Sequence, residues 1–409
     1  MQEQAPLAVV GGRLLTRLAD VTDDLRALDG RGTWAVVLPF EGPPICARFS
    51  DVRPARRWPG PPWRGPSPDE WTTSLDRDRF CAGVDAIRAG IAAGDVYQVN
   101  LTRRLTAPLP PGADVAALGA ALGRGNPAPY AAVVRIPPSG RTVGCQVASA
   151  SPERFLRRDG DRVRSSPIKG TAATANAFLP KDRAENVMIV DLVRNDLGRV
   201  CEWGSVEVPA LCAVEQHPGL VHLVSTVSGR LRPGTGWPEL IAATFPPGSV
   251  TGAPKLAALD HIARLEAAPR GVYCGAVGWV DADARQGELN VAIRTFWIEH
   301  GMLHLGTGGG ITWGSVPEGE WMETELKARR LLRVASGSPA VSAAPPSTTW
   351  ANGRHTVMGR WRRGSPTASV SAGCWATGSC CWSIRVGPRD GQCAPCSTSF
   401  AGTPRPGTC

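Results

Sequence analysis

A lone lysine, Lys169, lies in the otherwise uncharged stretch SSPIKGTAAT, residues 165–174. The stiff, apolar pair Pro167 and Ile168 precedes it and Gly170 follows it, which predicts a tight turn that aims the amine in one direction. A lysine normally stands in water, so a lysine constrained in an uncharged turn is a candidate site residue.

A carboxylate lies on a predicted helix in KDRAENVMIVDLVRNDLGRV, residues 181–200. The middle of this segment is apolar nearly all the way round, which predicts a buried helix with Glu185 on the face of core residues. A buried carboxylate needs a partner. The partner is either an arginine, such as Arg183 or Arg194, or a bound cation.

A second carboxylate-rich helix is predicted in PEGEWMETELKARRLL, residues 317–332. Helical spacing puts Glu320, Glu323 and Lys327 on one face. Such a run is commonly a solvated surface. The alternative is that these carboxylates meet Glu185 around a divalent cation, and oxygen ligands that are few in number suit Mg²⁺.

Two glycine-rich loops are predicted after the helix of residues 181–200. In FPPGSVTGAPK, residues 245–255, two residues separate Gly252 from Lys255, so the phosphate-loop pattern of nucleotide-binding proteins is not satisfied. GTGGGITWGS, from Gly306, offers consecutive amides without side chains that can surround an anion. Glycine runs also form plain turns, so this segment alone leaves both interpretations open.

Two further charged residues complete the inventory. Arg294 interrupts the apolar predicted strand LNVAIRT, where its planar fork suits either a substrate carboxylate or an internal salt bridge. Glu153 in SPERF is a possible proton donor. No Ser/His/Asp triad or Cys/His pair is recognisable. The inventory indicates a site for a small substrate with several carboxylates.

The elements that position these residues are predicted from hydrophobic periodicity. Phe80, Val84, Ile87 and Ile91 share one helical face, Gly94 is a left-handed stop, and the next residues, 96–105, alternate as a strand does. Further strands follow, without a regular βαβ repeat. The pattern predicts an α+β fold built on large antiparallel sheets.

Composition places the chain among globular proteins, with 409 residues, 43% hydrophobic and 20% charged. The sequence has no apolar run of about 18 residues and no secretory signal, which predicts a cytoplasmic protein with no membrane segment. The net charge of +9 raises the question of nucleic-acid binding. Residues 335–409 hold seven arginines and one aspartate, a net of +6, so only +3 is left for the rest, and no nucleic-acid partner is expected.

The C-terminal segment, residues 335–409, differs in composition from everything before it. It lacks lysine and glutamate, contains six of the twelve cysteines, and shows no sustained hydrophobic period. Its CAPC motif has metal-ligand spacing, but no second such pair follows. We therefore expect three parts: an N-terminal part of the sandwich, a catalytic domain, and a disordered or frame-shifted tail, over residues 1–75, 76–334 and 335–409.

The motifs together resemble a known family, the chorismate-utilising enzymes. In order along the chain they are GDVYQVNLT, SPERF, PIKGT, ENVMIVDLVRNDLGRV, HLVST, FPPGSVTGAPK, YCGAVGW, NVAIRT, GTGGGI and EWMETELKA. The set is most similar to component 1 of aminodeoxychorismate synthases, with component 1 of anthranilate synthases as the near relative. This resemblance implies a large sandwich of two antiparallel sheets flanked by helices, with chorismate in a central cleft.

The resemblance also implies roles for individual residues. Glu185 and Glu320 would bind Mg²⁺, with Glu323 beside them, and the cation would hold the ring carboxylate of chorismate. Residues implied in binding or acting on the substrate are Arg294, Tyr273, Gly309, Gly310, His222, Thr251, Gly252 and Lys327.

In the aminodeoxychorismate branch the lysine of PIKGT attacks C2 of chorismate, while the glutamate of SPERF protonates the departing C4 hydroxyl. Lys169 and Glu153 occupy these places, and ammonia would then add at C4 and expel the lysine. Anthranilate synthases usually have alanine at this position, so Lys169 favours 4-amino-4-deoxychorismate as the product, for 4-aminobenzoate and folate or a related metabolite. Gln98 stands where isochorismate and salicylate synthases carry a lysine that activates water. Since an amide is not a base, hydration is disfavoured.

No glutaminase nucleophile motif is present, so ammonia would come from solution or from a separate glutamine amidotransferase subunit. The first alternative function is component 1 of an anthranilate synthase. The second is an inactive homologue that only binds partners. The intact set of Glu153, Lys169, Glu185, Arg294 and Glu320 argues against the second.

Overall fold

The structure is a computed structural model, and it describes residues 5–56, 60–138, 144–172, 174, 176, 178, 180–217 and 220–337. All of these residues fall in the first of two units of the chain, residues 1–354. The predictions made for the C-terminal segment beyond residue 337, including the CAPC motif, lie outside the described residues. Within the described ranges, no helix has both the length and the apolarity needed to cross a membrane.

The described residues form six helices of two turns or more and eighteen strands. The helices are α1 (Arg77–Ala93), α2 (Val115–Gly125), α3 (Pro180–Gly198), α4 (Trp237–Thr244), α5 (Lys255–Leu265) and α6 (Pro317–Ala335). The strands are β1 (Leu7–Val10), β2 (Arg13–Thr22), β3 (Thr33–Leu38), β4 (Ile45–Pro54), β5 (Thr72–Thr73), β6 (Gln98–Pro108), β7 (Tyr130–Ile136), β8 (Cys145–Ser151), β9 (Arg154–Asp159), β10 (Arg162–Ser166), β11 (Ile168–Ala172), β12 (Glu207–His217), β13 (Leu220–Arg230), β14 (Gly252–Ala253), β15 (Ala276–Asp281), β16 (Gln286–Val291), β17 (Thr295–Glu299) and β18 (Met302–Ile311).

Every described strand pairing is antiparallel, and the pairings connect two halves. The first half runs β12, β13, β10, β9, β16, β15, β3 and β4, with β11 also on β13. The second half runs β1, β7, β8, β17, β18 and β6, with β5 and β14 also on β6. The long strand β2 pairs with β4 and with β1 and so joins the halves. The α+β prediction is confirmed, and the two expected sheets are continuous through β2.

Burial along β7 shows how the halves are layered. Ala132 and Val134 pack in one core cluster with Val36 of β3, so this face of the second half meets the first half. Val133, whose side chain points the other way, packs in a second cluster with Leu118 of α2. The second half therefore has the first half on one face and helices on the other.

The helix and strand predicted around residue 94 are confirmed. Helix α1 ends at Gly94, which is left-handed with φ 84°, and β6 begins at Gln98. The prediction that α3 is buried on nearly all sides is wrong, because Val187 is 46% exposed while Ile189 is fully buried. One face of α3 covers β11 and β13, and its opposite face meets solvent.

The predicted loop at Gly306 is also wrong, because the segment is the last part of strand β18. Its glycines pair with β6, Gly309 opposite Leu101 and Gly310 opposite Asn100. On the other edge of β18, the pairing with β17 reaches only Leu305. Beyond that point no described strand covers this edge, so alternate backbone amides of the glycine strand are open to a ligand.

Candidate active site

Lys169 lies on strand β11 rather than in a simple turn. The pairing of β11 with β13 shifts register between Lys169 and Thr171, where Gly170 has φ 78°. Such a bulge re-aims the neighbouring side chain. The Lys169 amine donates a hydrogen bond to the backbone oxygen of Ser249, 3.2 Å away. Desolvation lowers the pKa of Lys169 below its ordinary value, while the charges of Glu185 and Glu153 oppose this effect.

Glu153 lies between β8 and β9 and is almost fully buried. Burial raises the pKa of its carboxyl to about 7, against the opposing effects of the Ser249 hydroxyl, the Lys169 charge and the Ile168 N–H. A carboxyl with this pKa holds a proton in a substantial fraction of molecules near neutral pH. Glu153 is therefore equipped to act as a proton donor beside an amine.

The glycine strand reaches Lys169 through Gly310. A Cβ on Gly310 would lie 3.5 Å from Lys169 Nζ and would overlap the side-chain amide nitrogen of Gln98. The Gln98 side chain is fully buried, and neither of its two polar atoms has a hydrogen-bond partner in the described structure. The close approach of these three residues requires glycine at position 310.

Two of the candidate metal carboxylates come from α3 and α6. Burial raises the pKa of Glu185, and the charges of Glu320 and Asp182 add to this effect, while Lys169 and Lys181 oppose it. The pKa of Glu320 is also raised, chiefly by burial and further by Glu323, although Glu320 Oε1 accepts a 2.7 Å hydrogen bond from the Ser315 hydroxyl. Half-buried carboxylates with raised pKa values are candidate ligands for a cation.

Glu323, the third predicted metal carboxylate, is engaged by a lysine. Glu323 Oε1 is 2.7 Å from Lys327 Nζ, and this charge outweighs desolvation and lowers the pKa of Glu323. Lys327 Nζ also donates to the Gly308 backbone oxygen at 2.8 Å. Across the described residues, no three His, Cys, Asp or Glu side chains are grouped to hold a metal ion. Of the three predicted metal carboxylates, Glu185 and Glu320 therefore stay the candidate ligands, and Glu323 lies beside them.

Among the described residues, neither Arg183 nor Arg194, the arginines considered as partners, forms an ion pair with Glu185. Arg194 pairs with Asp191 at 3.2 Å, and the opposing charges that act on Glu185 are those of Lys169 and Lys181. The carboxylate is thus directed toward the candidate site.

Arg294 lies in a bend with φ 51° immediately before β17, and not inside a strand as predicted. Its guanidinium has no carboxylate within ion-pair distance among the described residues, so the predicted internal salt bridge is absent there. Burial and the charge of Arg330 lower the pKa of Arg294. A half-buried cation in this state is suited to an anionic ligand.

Two further predicted site residues, Tyr273 and His222, are buried. Tyr273 is buried, and its ring lies where a Cβ of Gly306 would be. His222 is buried on β13 opposite Thr171. Their roles toward a substrate stay predictions.

Thr251 and Gly252 shape the loop that precedes α5. The Thr251 hydroxyl donates to the backbone oxygen of Pro247 at 3.1 Å. Gly252 has φ 147° and approaches the backbone of Gln98 so closely that a side chain would overlap it. Both residues thus support the local backbone, and a substrate contact by either stays a prediction.

Sequence reasoning missed Ser249, whose backbone oxygen contacts Lys169 and whose hydroxyl contacts Glu153. A single serine in FPPGSVTGAPK carries no signal of its own. Its partners lie about 80 and 96 positions away in the chain, so only the fold reveals the contact.

Comparisons with known proteins show the family to which the chain belongs. Residues 50–333 match the sequence profile of the family described as chorismate binding enzyme. Anthranilate synthase component 1 1 of Haloarcula marismortui is 41% identical over 280 residues, which cover 64% of this chain and 55% of that protein. Aminodeoxychorismate synthase component 1 of Klebsiella aerogenes is 40% identical over 275 residues, which cover 64% of this chain and 59% of that protein.

The fold also matches that of solved structures. Anthranilate synthase component I of Streptococcus pneumoniae superposes with a TM-score of 0.65 at 24% identity, covering 80% of this chain and 90% of that one. The chain spans only a little over half the length of the two curated relatives named above.

Proposed function

Because the chain belongs to the chorismate binding enzyme family, we propose that it is component 1 of an aminodeoxychorismate synthase. The proposed reaction converts chorismate and ammonia to 4-amino-4-deoxychorismate and water. The observation that carries this proposal is the Lys169 amine, desolvated and placed beside the proton-holding Glu153. The curated relatives that carry this name add support.

In the proposed reaction the neutral Lys169 amine forms a bond to C2 of chorismate. Both conjugated double bonds of the ring shift by one position, and the C4 hydroxyl leaves as water with the proton of Glu153. Ammonia then bonds to C4, both double bonds shift back, and the bond to Lys169 breaks. The proton that ammonia loses restores Glu153, so the two steps balance.

Substrate binding in this proposal uses the charges around the cleft. The Arg294 guanidinium, which forms no ion pair among the described residues, and the open backbone amide of Gly310 are available for the two carboxylates of chorismate, whereas the Gly309 amide faces β6. Desolvation by the substrate would further favour the neutral amine of Lys169.

Mg²⁺ dependence belongs to the same proposal. Glu185 and Glu320 supply two half-buried carboxylates, and Mg²⁺ commonly takes one or two carboxylates and completes its shell with water and substrate. The donor set therefore fits this ion. When bound, Mg²⁺ would orient the ring carboxylate and stabilise its negative charge.

The names of the relatives bear on the source of ammonia. Relatives of this chain are named component 1 of a synthase. We therefore expect a separate glutamine amidotransferase subunit to supply ammonia, with ammonium salts replacing it in the test tube.

Component 1 of an anthranilate synthase is the second candidate, because the relative from Haloarcula marismortui carries that name. The two functions differ in their products. Chorismate, Mg²⁺ and ammonium are incubated with the full chain, and the products are separated by liquid chromatography and identified by mass.

An aminated chorismate that keeps its enolpyruvyl group, and yields 4-aminobenzoate when a lyase is added, supports the proposal. Anthranilate and pyruvate as the only products support the second candidate and contradict the first. Absence of any turnover with both ammonium and glutamine plus an amidotransferase supports the inactive, partner-binding interpretation.

A further inference from the structure

Ser249, in the short segment Gly248–Gly252, contacts both reacting groups of the proposed site, Lys169 and Glu153. The Ser249 backbone oxygen accepts from Lys169 Nζ at 3.2 Å, and the Ser249 hydroxyl hydrogen-bonds to the buried Glu153 carboxyl. A displacement of this segment therefore moves the hydrogen-bond partners of the amine and of the acid together.

Arg270 holds the segment at the next residue. The Arg270 side chain is almost fully buried, and its Nη1 donates to the backbone oxygen of Val250 at 2.7 Å. Its Nη2 donates to the backbone oxygen of Asn100 on β6, also at 2.7 Å. One guanidinium thus connects the segment to the strand that carries Gln98 and pairs with the glycine strand.

Glu266 fixes the guanidinium itself. Arg270 Nε and Nη2 donate to the two oxygens of Glu266 at 2.9 and 2.7 Å. Glu266 Oε1 in turn accepts from the backbone N–H of Thr102 on β6 at 2.8 Å. The Phe40 ring lies 4.5 Å from the guanidinium carbon. Four of the five N–H donors of Arg270 are therefore used, by two carboxylate and two carbonyl acceptors.

A backbone hydrogen bond also connects the segment Gly248–Gly252 to β6. The backbone N–H of Asn100 donates to the Thr251 oxygen at 2.8 Å. Val250 and Thr251, the two residues after Ser249, are therefore both attached to β6, one through Arg270 and one directly. Neither Arg270 nor Glu266 has a role in the proposed reaction as described above.

We propose that Arg270, held by Glu266, is a positioning residue that sets the place of Ser249 and thereby aligns Lys169 and Glu153 for the reaction. This inference deepens the proposed function and rests on it. Arg270 acts through Val250 and touches neither reacting group. Its effect should therefore fall on turnover of bound substrate, because the groups proposed to hold the substrate carboxylates, Arg294 and the glycine strand, lie outside the segment.

The variant Arg270→Lys tests the proposal, because a lysine keeps the charge but has no planar fork to reach four acceptors. We expect kcat to fall at least about tenfold with the KM for chorismate changed less than about threefold, since small misplacements of reacting groups have large effects on rate. Rates are measured with ammonium at a temperature where circular dichroism shows each variant folded.

Arg135→Lys is the matched control. Arg135 is also buried and pairs with a carboxylate, Asp114 at 2.6 Å, and with the backbone oxygen of Ala5, but on β7 and away from the segment. We expect a comparable loss of stability with kcat unchanged. Equal kcat values in the two variants, or a rise in KM without a fall in kcat for Arg270→Lys, would overturn the proposal.

Glu266→Gln serves where Arg270→Lys does not fold, because glutamine keeps an acceptor for Arg270 and for Thr102. We expect a smaller fall in kcat, about fivefold, with the same unchanged KM. An unchanged kcat would count against the positioning role.

Hydrogen exchange separates this inference from the proposed function. In the absence of substrate, peptides that cover residues 245–255 should exchange faster in Arg270→Lys than in the wild-type chain, and should be unchanged in Arg135→Lys. Unchanged exchange in Arg270→Lys would contradict the inference even in an active enzyme. A wild-type chain without activity would contradict the proposed function and leave the exchange result to decide the positioning.

Discussion

At the residue scale, the site depends on how burial changes the pKa values of two ionisable side chains. Desolvation makes an amine easier to deprotonate and a carboxyl harder to deprotonate, so it lowers the pKa of Lys169 and raises that of Glu153. The same burial thus prepares the nucleophile and the proton donor. Ser249 contacts both groups and keeps them in one place.

The raised pKa of Glu153 predicts a pH-dependent stability. The folded chain binds this proton more tightly than the unfolded chain, in which the pKa is near its usual 4.5. The contribution of Glu153 is therefore fully present below pH 4.5 and is lost as the pH rises through about 7. The variant Glu153→Gln cannot ionise at this position. Its free energy of unfolding should therefore exceed that of the wild type by up to about 3 kcal/mol at pH 8 and by little at pH 5.

Urea unfolding of wild type and Glu153→Gln at pH 5 and pH 8 measures this difference. A Glu153→Gln variant whose stability relative to wild type is the same at both pH values would show that Glu153 ionises normally.

At the element scale, strand β18 brings an open backbone edge close to Lys169. Its last five residues pair with β6 on one edge, while its other edge has no described partner strand beyond Leu305. Because Gly310 has no side chain, Gln98 of the paired strand β6 and Lys169 of β11 can both approach it. Strand β18 is therefore held in place by β6 on one edge, while backbone groups on its other edge are open.

Gly310→Ala should abolish most activity, because the added methyl overlaps the Gln98 amide and lies 3.5 Å from Lys169 Nζ. We expect kcat/KM to fall at least about a hundredfold. Gly314→Ala is the control, since a Cβ at Gly314 meets nothing within 4 Å and should leave kcat/KM within about twofold. Equal activities of the two alanine variants would show that the glycine strand does not approach the reacting groups.

Elements with strong local signals were predictable from the sequence. The face of α1 and the left-handed Gly94 identified the helix and its end, because both depend on neighbouring residues. The glycine strand was missed, since glycine disfavours strands and β18 is held there by β6, about two hundred positions earlier. The exposed side of α3 was missed because Val187 is apolar but nothing covers it.

The site was predictable only in part, for a related reason. Residue types and motif order nominated Lys169, Glu153, Glu185 and Glu320. In the structure Lys169 is within electrostatic reach of Glu153 and Glu185, and Glu320 is within reach of Glu185. Ser249 and Arg270 were not nominated. Their importance comes from contacts with residues remote in the chain, which no local pattern records.

At the scale of the whole molecule, residues before Asp76 are integrated into the sheets. Strand β3 lies between β4 and β15, and strand β1 pairs with β7 of the other half. Val36 and Val37 of β3 are fully buried in the larger core cluster. The two halves are joined by β2, so the N-terminal part connects the structure on which the site is built.

A chain that begins at residue 76 should therefore not fold cooperatively. Its loss of β1 to β5 exposes the apolar faces of β7 and β15 and removes the connection between the halves. Near-ultraviolet circular dichroism and urea unfolding measure the outcome. A cooperative transition like that of the full chain would show that the catalytic part folds without the N-terminal strands.

The most direct test of the Lys169 mechanism is the intact mass of the protein after incubation with chorismate and Mg²⁺ in the absence of ammonia. Without ammonia to expel the lysine, the wild-type chain should gain the mass of chorismate less one water, and peptide mapping should place it on Lys169. Lys169→Ala should gain nothing, while Lys181→Ala should behave as wild type. Amination of chorismate by Lys169→Ala at the wild-type rate, with no adduct on the wild-type protein, would contradict a nucleophilic Lys169.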